Sequence, residues 1–172
     1  DGSVTSTDIS PKRLQRVREN LRRLRRARVI IVAEDGQRPA ALGPFDRVLV
    51  DVPCSGTGVL GRHPEARWRK IPEDLPRHAE RQSRILEAAF ERVRPGGILV
   101  YSTCSLEEEE NDAVVDRFLA GRDDAVLEVA SQWFPNQPWA ARTVQTLPGR
   151  EPGDGAYAAR IRRLPTDSVR AA

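Results

Sequence analysis

A chain of 172 residues, 39% hydrophobic and 31% charged, has room for one sizeable core and is neither fibrous nor disordered in composition. Its formal charge of +3 defines no partner by itself, and its longest apolar runs, such as VIIVA at 29–33, are far shorter than a bilayer span. No positive-then-apolar segment opens the chain, so a single cytoplasmic domain over 1–172, away from membranes, is the expectation.

Residues 4–9 (VTSTDI) read as a short strand ending near Asp8, and Ser10-Pro11 as a cap and first position of a helix. Leu14, Val17, Leu21 and Leu24 recur there at helical spacing. Nine Lys or Arg against one acid, Glu19, lie between Pro11 and Arg28, a stripe that suits either a polyanion or plain solvent. The β-branched run 29–34 suits a strand buried on both faces and stops at Asp35-Gly36.

A second such strand, 45–51 (FDRVLVD), ends at Asp51. Gly61, Pro64, Pro72 and Pro76 make 61–76 an exposed loop. Ile85, Leu86, Ala89, Phe90 and Val93 give a helix over 77–93, stopped by Pro95-Gly96-Gly97. A third strand, 98–103 (ILVYST), runs into Cys104, and 107–120 read as a helix whose leading glutamates suit its positive end. Val126–Val129 read as a strand, 131–153 as a loop, and 155–163 (GAYAARIRR) as an edge strand.

This order predicts an α/β fold with a mainly parallel sheet. Ligands of such sheets lie beyond the carboxyl ends of the strands, so Asp8, Asp35, Asp51 and Cys104 are expected to line one crevice. Cys104, in YSTCS just ahead of a predicted helix, is a candidate nucleophile, because a helix N-terminus favours thiolate. A buried cysteine acting as a small hydrophobe is the alternative. The two cysteines lie 50 residues apart, and neither histidine, His63 nor His78, has metal-ligand spacing to them. No metal site is therefore expected, and a disulfide is disfavoured in a reducing compartment.

Asp51 to Gly58 (DVPCSGTG) and Tyr101 to Ser105 (YSTCS) resemble the two cysteine motifs of RNA cytosine-5 methyltransferases of the Sun, or RsmB, type. Arg62-His63-Pro64-Glu65 with Trp68, Arg94-Pro95-Gly96-Gly97 and Asp154-Gly155-Ala156-Tyr157 resemble that family too. The resemblance implies a Rossmann-like S-adenosylmethionine-dependent methyltransferase fold. It also implies that Cys104 attacks carbon 6 of cytosine, so that carbon 5 accepts the methyl group, and that Cys54 assists release of the product. Asp51 would hold the base or the methionine end of the cofactor, Asp8 the ribose hydroxyls, and Asp35 the adenine amino group. Without the family, a helix cap for Asp8 and a turn carboxylate for Asp35 are the better readings.

Arg62-His63 with Arg67-Trp68-Arg69-Lys70 offer cations beside the aromatic face of Trp68 and form a candidate RNA-contacting loop, with Arg62, His63, Trp68, Arg69 and Lys70 as the contacting set. A surface loop with Trp68 packed inward is the alternative. The family's glycine-rich loop, which precedes the ribose acid, has no counterpart before Asp8, so a catalytic-domain fragment truncated at its N-terminus is expected. Pro148-Gly149 departs from a family pattern of Pro followed by a basic or imidazole residue. The resemblance to the RsmB branch implies small-subunit (16S) ribosomal RNA as the substrate. A transfer RNA enzyme or a non-catalytic RNA-binding piece are the alternatives. DNA cytosine enzymes, by resemblance, take their nucleophile from the PC motif instead. Oligomeric state is not legible.

Overall fold

The computed structural model describes residues 2–26, 28–40, 42–69 and 71–165. The chain divides into two compact units, Asp1–Leu42 and Gly43–Ala172.

In the first unit, β1 (Val4–Asp8) and β2 (Val29–Ala33) pair in parallel from Val4–Val29 to Asp8–Ala33, joined by α1 (Pro11–Arg23). Parallel neighbours need such a crossover. The Ser10 hydroxyl accepts from the Arg13 N–H at 3.4 Å and caps α1, and Arg22 and Arg23 lie at its negative end. Leu14 is buried and Val17 and Leu21 are half-buried on one face, as their spacing predicts, whereas Leu24 is exposed. The expected two-sided burial of β2 is not met within this unit, where Ile30 is 58% exposed.

The second unit is built from β3 (Phe45–Asp51), α2 (Leu75–Phe90), β4 (Val93–Thr103), α3 (Asp112–Ala120), β5 (Ala125–Glu128), β6 (Val144–Thr146) and β7 (Ala156–Arg163). Its sheet runs β3-β4-β7-β5, with β6 also on β7. β3 and β4 are parallel, as expected, and β7 pairs antiparallel with β4, β5 and β6. α2 presses Leu86 and Phe90, and α3 presses Val114, Val115 and Phe118, against Leu99, Tyr101, Tyr157 and Ile161 of the sheet. Leu49 of β3 is 70% exposed, so this strand too is covered on one face within its unit.

Three expectations change. β7 is the hub of the sheet rather than its edge: Tyr157, Ala159 and Ile161 are buried, while Arg160 and Arg162 on the other face both pair with Glu128. Paired arginines let a charged strand sit centrally. Arg94-Pro95-Gly96-Gly97 falls inside β4 as a bulge between the Phe45–Val93 and Arg47–Ile98 pairs. Gly96 has φ +79°, and a Cβ on Gly97 would stand 2.7 Å from Val93 Cγ1 and 2.9 Å from the Asp46 carbonyl oxygen. α3 begins at Asp112 rather than Glu107, because 107–111 form a tight turn that buries Glu110 and Asn111. Among the described residues no helix is long and apolar enough to cross a membrane.

Candidate active site

In the second unit, the parallel register sets Asp51 beside Ser102, whose hydroxyl lies 3.4 Å from Asp51 Oδ1. Both chains then leave the sheet at the same end. This brings Cys54, three residues past β3, against Cys104, one residue past β4, with their sulfurs 3.4 Å apart. Both are free thiols and half-buried. Burial, reinforced by the neighbouring Cys104 sulfur, pushes the Cys54 thiol up to about 12. Cys54 therefore keeps its proton at neutral pH. The helix-terminus argument for Cys104 does not hold as expected, since seven residues separate it from α3.

Glycine makes this approach possible. Gly56, at φ +67°, turns the chain after the PC pair, and the Gly58 N–H donates to the Cys104 carbonyl at 2.9 Å. The Gly155 N–H donates to the Gly58 carbonyl at 2.9 Å, so the DVPCSGTG, YSTCS and DGAY segments are stitched together through backbone. Side chains complete the seam. Thr57 Oγ1 accepts from the Leu106 N–H at 2.9 Å, and the Ser55 and Ser105 hydroxyls meet at 3.0 Å.

Glu110 lies beneath the seam, fully buried, and its role was not legible among four successive glutamates. Its carboxylate accepts from the Ser55 N–H at 2.8 Å, from the Ser55 hydroxyl, and from Gln82 Nε2 at 2.8 Å. Burial opposes its ionisation, but hydrogen bonds from Ser105, Ser55 and Gln82 outweigh it and hold the carboxyl below the usual carboxylate range.

In the first unit Asp8 ends β1, and Asp35 follows β2 at the same end of that sheet. The Asp8 oxygens accept from the Arg13 guanidinium at 2.7 Å each, and Oδ1 also accepts from the Ser10 N–H at 2.6 Å. The Arg13 hydrogen bonds hold the Asp8 carboxyl below its ordinary range. Ser10, not Asp8, is the helix cap. Asp35 Oδ1 accepts from the Gln37 N–H at 3.0 Å in a local turn.

The loop after the PC motif is exposed. Trp68 is 85% exposed, against the alternative that packs it inward, and Arg69 stands beside it in the turn Pro64–Arg69. Arg62 pairs with Asp154 at 2.8 Å and His63 with Glu65 at 3.4 Å. Lys70 lies outside the described residues.

Residues 1–162 match the family model for the 16S rRNA methyltransferase RsmB/F. The chain is 39% identical over 164 residues to "Ribosomal RNA small subunit methyltransferase B" of Salmonella arizonae and 40% identical to its namesake in Escherichia fergusonii. Each alignment takes in 94% of this chain, which spans 37% of the length of these relatives. Among solved structures, a methyltransferase homologue from Pyrococcus horikoshii is similar with a TM-score of 0.79 and 30% identity, over 95% of this chain and 54% of that one. NSun6 from Pyrococcus horikoshii, solved with SFG, is similar with a TM-score of 0.80 and 26% identity, over 95% and 42% of the two chains. The architecture is thus that of Rossmann-like S-adenosylmethionine-dependent methyltransferases.

Proposed function

Since the chain belongs to the 16S rRNA methyltransferase RsmB/F family, we propose that it methylates carbon 5 of a cytosine in small-subunit ribosomal RNA. The observation that carries this reading is the contact of two cysteine sulfurs at 3.4 Å at the sheet end marked by Asp51.

Carbon 5 of cytosine is a poor nucleophile until carbon 6 carries an added group. The Cys104 thiolate adds to carbon 6, which places electron density on carbon 5. S-adenosylmethionine supplies an electrophilic methyl group on sulfur. Once carbon 5 is methylated, its proton leaves to a base and the Cys104–carbon 6 bond breaks, releasing 5-methylcytosine and the free thiolate. Cys54 is held as a thiol beside Cys104, which suits it to donate a hydrogen bond to the thiolate before attack and to assist its departure afterwards. The Asp51 carboxylate, exposed next to the pair, accepts from the base or from the cofactor's ammonium group.

The remaining carboxylates fit the cofactor chemically. Asp8 and Asp35 present acceptors at one sheet end, suited to ribose hydroxyls and an adenine amino group. The Arg13 side chain on Asp8 is 61% exposed, and surface ion pairs of this kind hold only weakly, so a ribose can displace it. Arg62, His63, Trp68, Arg69 and Lys70 are the RNA-contacting set in this reading, and the setting is cytoplasmic, where ribosomal RNA is found in bacteria.

The test is to incubate the full-length polypeptide carrying this sequence with S-adenosylmethionine and small-subunit ribosomal RNA, and to read 5-methylcytosine by mass spectrometry. Methylation is expected to vanish in Cys104→Ala, and a covalent RNA–protein adduct to accumulate in Cys54→Ala. Full activity without Cys104 would sink the mechanism.

A further inference from the structure

The catalytic reading uses two cysteines and leaves unexplained a fully buried carboxylate, Glu110, that is hydrogen-bonded to the residue following each of them, Ser55 and Ser105. Burying a carboxylate is expensive, and an apolar residue of similar volume is often at least as stable. Glu110 is nevertheless buried, with its carboxylate accepting from Ser55 and Ser105 of the two cysteine loops and from Gln82 of α2.

Its backbone belongs to the Cys104 side. Tyr101 Oη, from β4, donates to the Glu110 carbonyl at 2.6 Å. The next residue, Asn111, accepts from Thr103 Oγ1 at 2.7 Å and donates to the Ser105 carbonyl at 3.0 Å, gripping the residues on either side of Cys104. Its carboxylate reaches to the Cys54 side. There it accepts from the N–H and hydroxyl of Ser55, the residue after Cys54, and from Gln82 Nε2, which also donates to the Pro53 carbonyl at 3.0 Å. Pro53 and Ser55 flank Cys54. One short segment thus holds the neighbours of both sulfurs.

The Ser55 N–H, the Ser55 hydroxyl and Gln82 Nε2 converge on the carboxylate beside the Ser105 hydroxyl, and an amide in its place would turn an NH₂ group toward at least one of them. We propose that Glu110 is a positioning residue, which fixes the Cys54 loop against the Cys104 loop through Ser55 and Gln82 and so sets the sulfur–sulfur contact. The proposal rests on the reading of these cysteines as the reacting pair. Glu110 touches neither RNA nor cofactor in this role; it acts through the two loops.

The test compares Glu110→Gln, Glu110→Asp and Ser55→Ala in the full-length polypeptide. Single-turnover methylation of ribosomal RNA, S-adenosylmethionine affinity by calorimetry, and the rate at which dibromobimane bridges Cys54 and Cys104 are read side by side. Bridging reports sulfur proximity whether or not the protein methylates anything. Glu110→Gln is expected to slow methyl transfer by about 100-fold, the scale of an ångström-sized misplacement, and to slow bridging in parallel, with cofactor affinity unchanged. Glu110→Asp keeps the charge and is expected to recover part of both rates. Parental bridging and parental methylation in Glu110→Gln would overturn the proposal. If the unsubstituted protein methylates no cytosine, the functional reading falls, and the bridging rates alone decide whether Glu110 positions the pair. If Glu110→Gln loses its cooperative melt, Ser55→Ala, which removes one donor and keeps the Ser55 N–H, must slow bridging by itself; a parental rate there overturns the proposal too.

Discussion

A Cβ at Gly58 would stand 2.5 Å from the Gly155 carbonyl oxygen and 2.8 Å from that of Cys104, and both contacts are backbone that cannot swing aside. Gly58→Ala is therefore expected to push the two cysteine loops apart, destabilising the fold by about 1–3 kcal/mol and abolishing methyl transfer; a melting curve and an activity assay check both. At Cys54 the titration has a definite sign. A thiol raised from 9.0 to about 12 is mostly protonated at pH 8, where an ordinary cysteine already carries some thiolate. Its alkylation by iodoacetamide should be slow at pH 8 and climb steadily as pH rises through 9 and beyond. The same shift means that stability from the buried neutral thiol is complete below pH 9 and is lost as pH rises toward 12. Fast alkylation of Cys54 at pH 8 would contradict this. The identity of these residues was readable from DVPCSGTG and YSTCS, but their contact was not, since it depends on the register of β3 against β4.

Elements show where local pattern suffices and where it does not. α1 and α2 follow most of their apolar spacing, because one helical face meets one core wherever that core lies. Each spacing overruns its helix, however: Leu24 is exposed past α1, and Val93, expected to close α2, opens β4 instead. β7 does not declare its place. Alternation of Tyr157, Ala159 and Ile161 with arginines looks like a half-solvated edge, and Glu128 on the neighbouring β5, which pairs with both Arg160 and Arg162, makes a central position tolerable. Ile161, fully buried on this hub strand, is expected to lose about 2–5 kcal/mol of stability on substitution by Ala, measurable by urea denaturation. The segment 107–111 likewise reads as helix by composition. It turns tightly instead because Glu110 must reach Ser55, a residue 55 positions earlier in the chain.

For the molecule as a whole, charge and exposure bear on the partner. Trp68 and Arg69 stand exposed together, so Trp68→Ala is expected to weaken RNA binding by about 1–3 kcal/mol through lost stacking. Arg69→Ala should lower the slope of log affinity against log salt by about one; unchanged salt dependence would remove Arg69 from the interface. Periodicity by itself determined the α/β class and the existence of each helix, and the resemblance of two short motifs singled out Cys54 and Cys104, because these depend on patterns carried within a few residues. The tertiary structure alone decided that the sulfurs touch, that Glu110 is buried beneath them and that β7 is central. Each of those depends on groups distant in the chain, and their burial and hydrogen bonding exist only once the sheet has set its register.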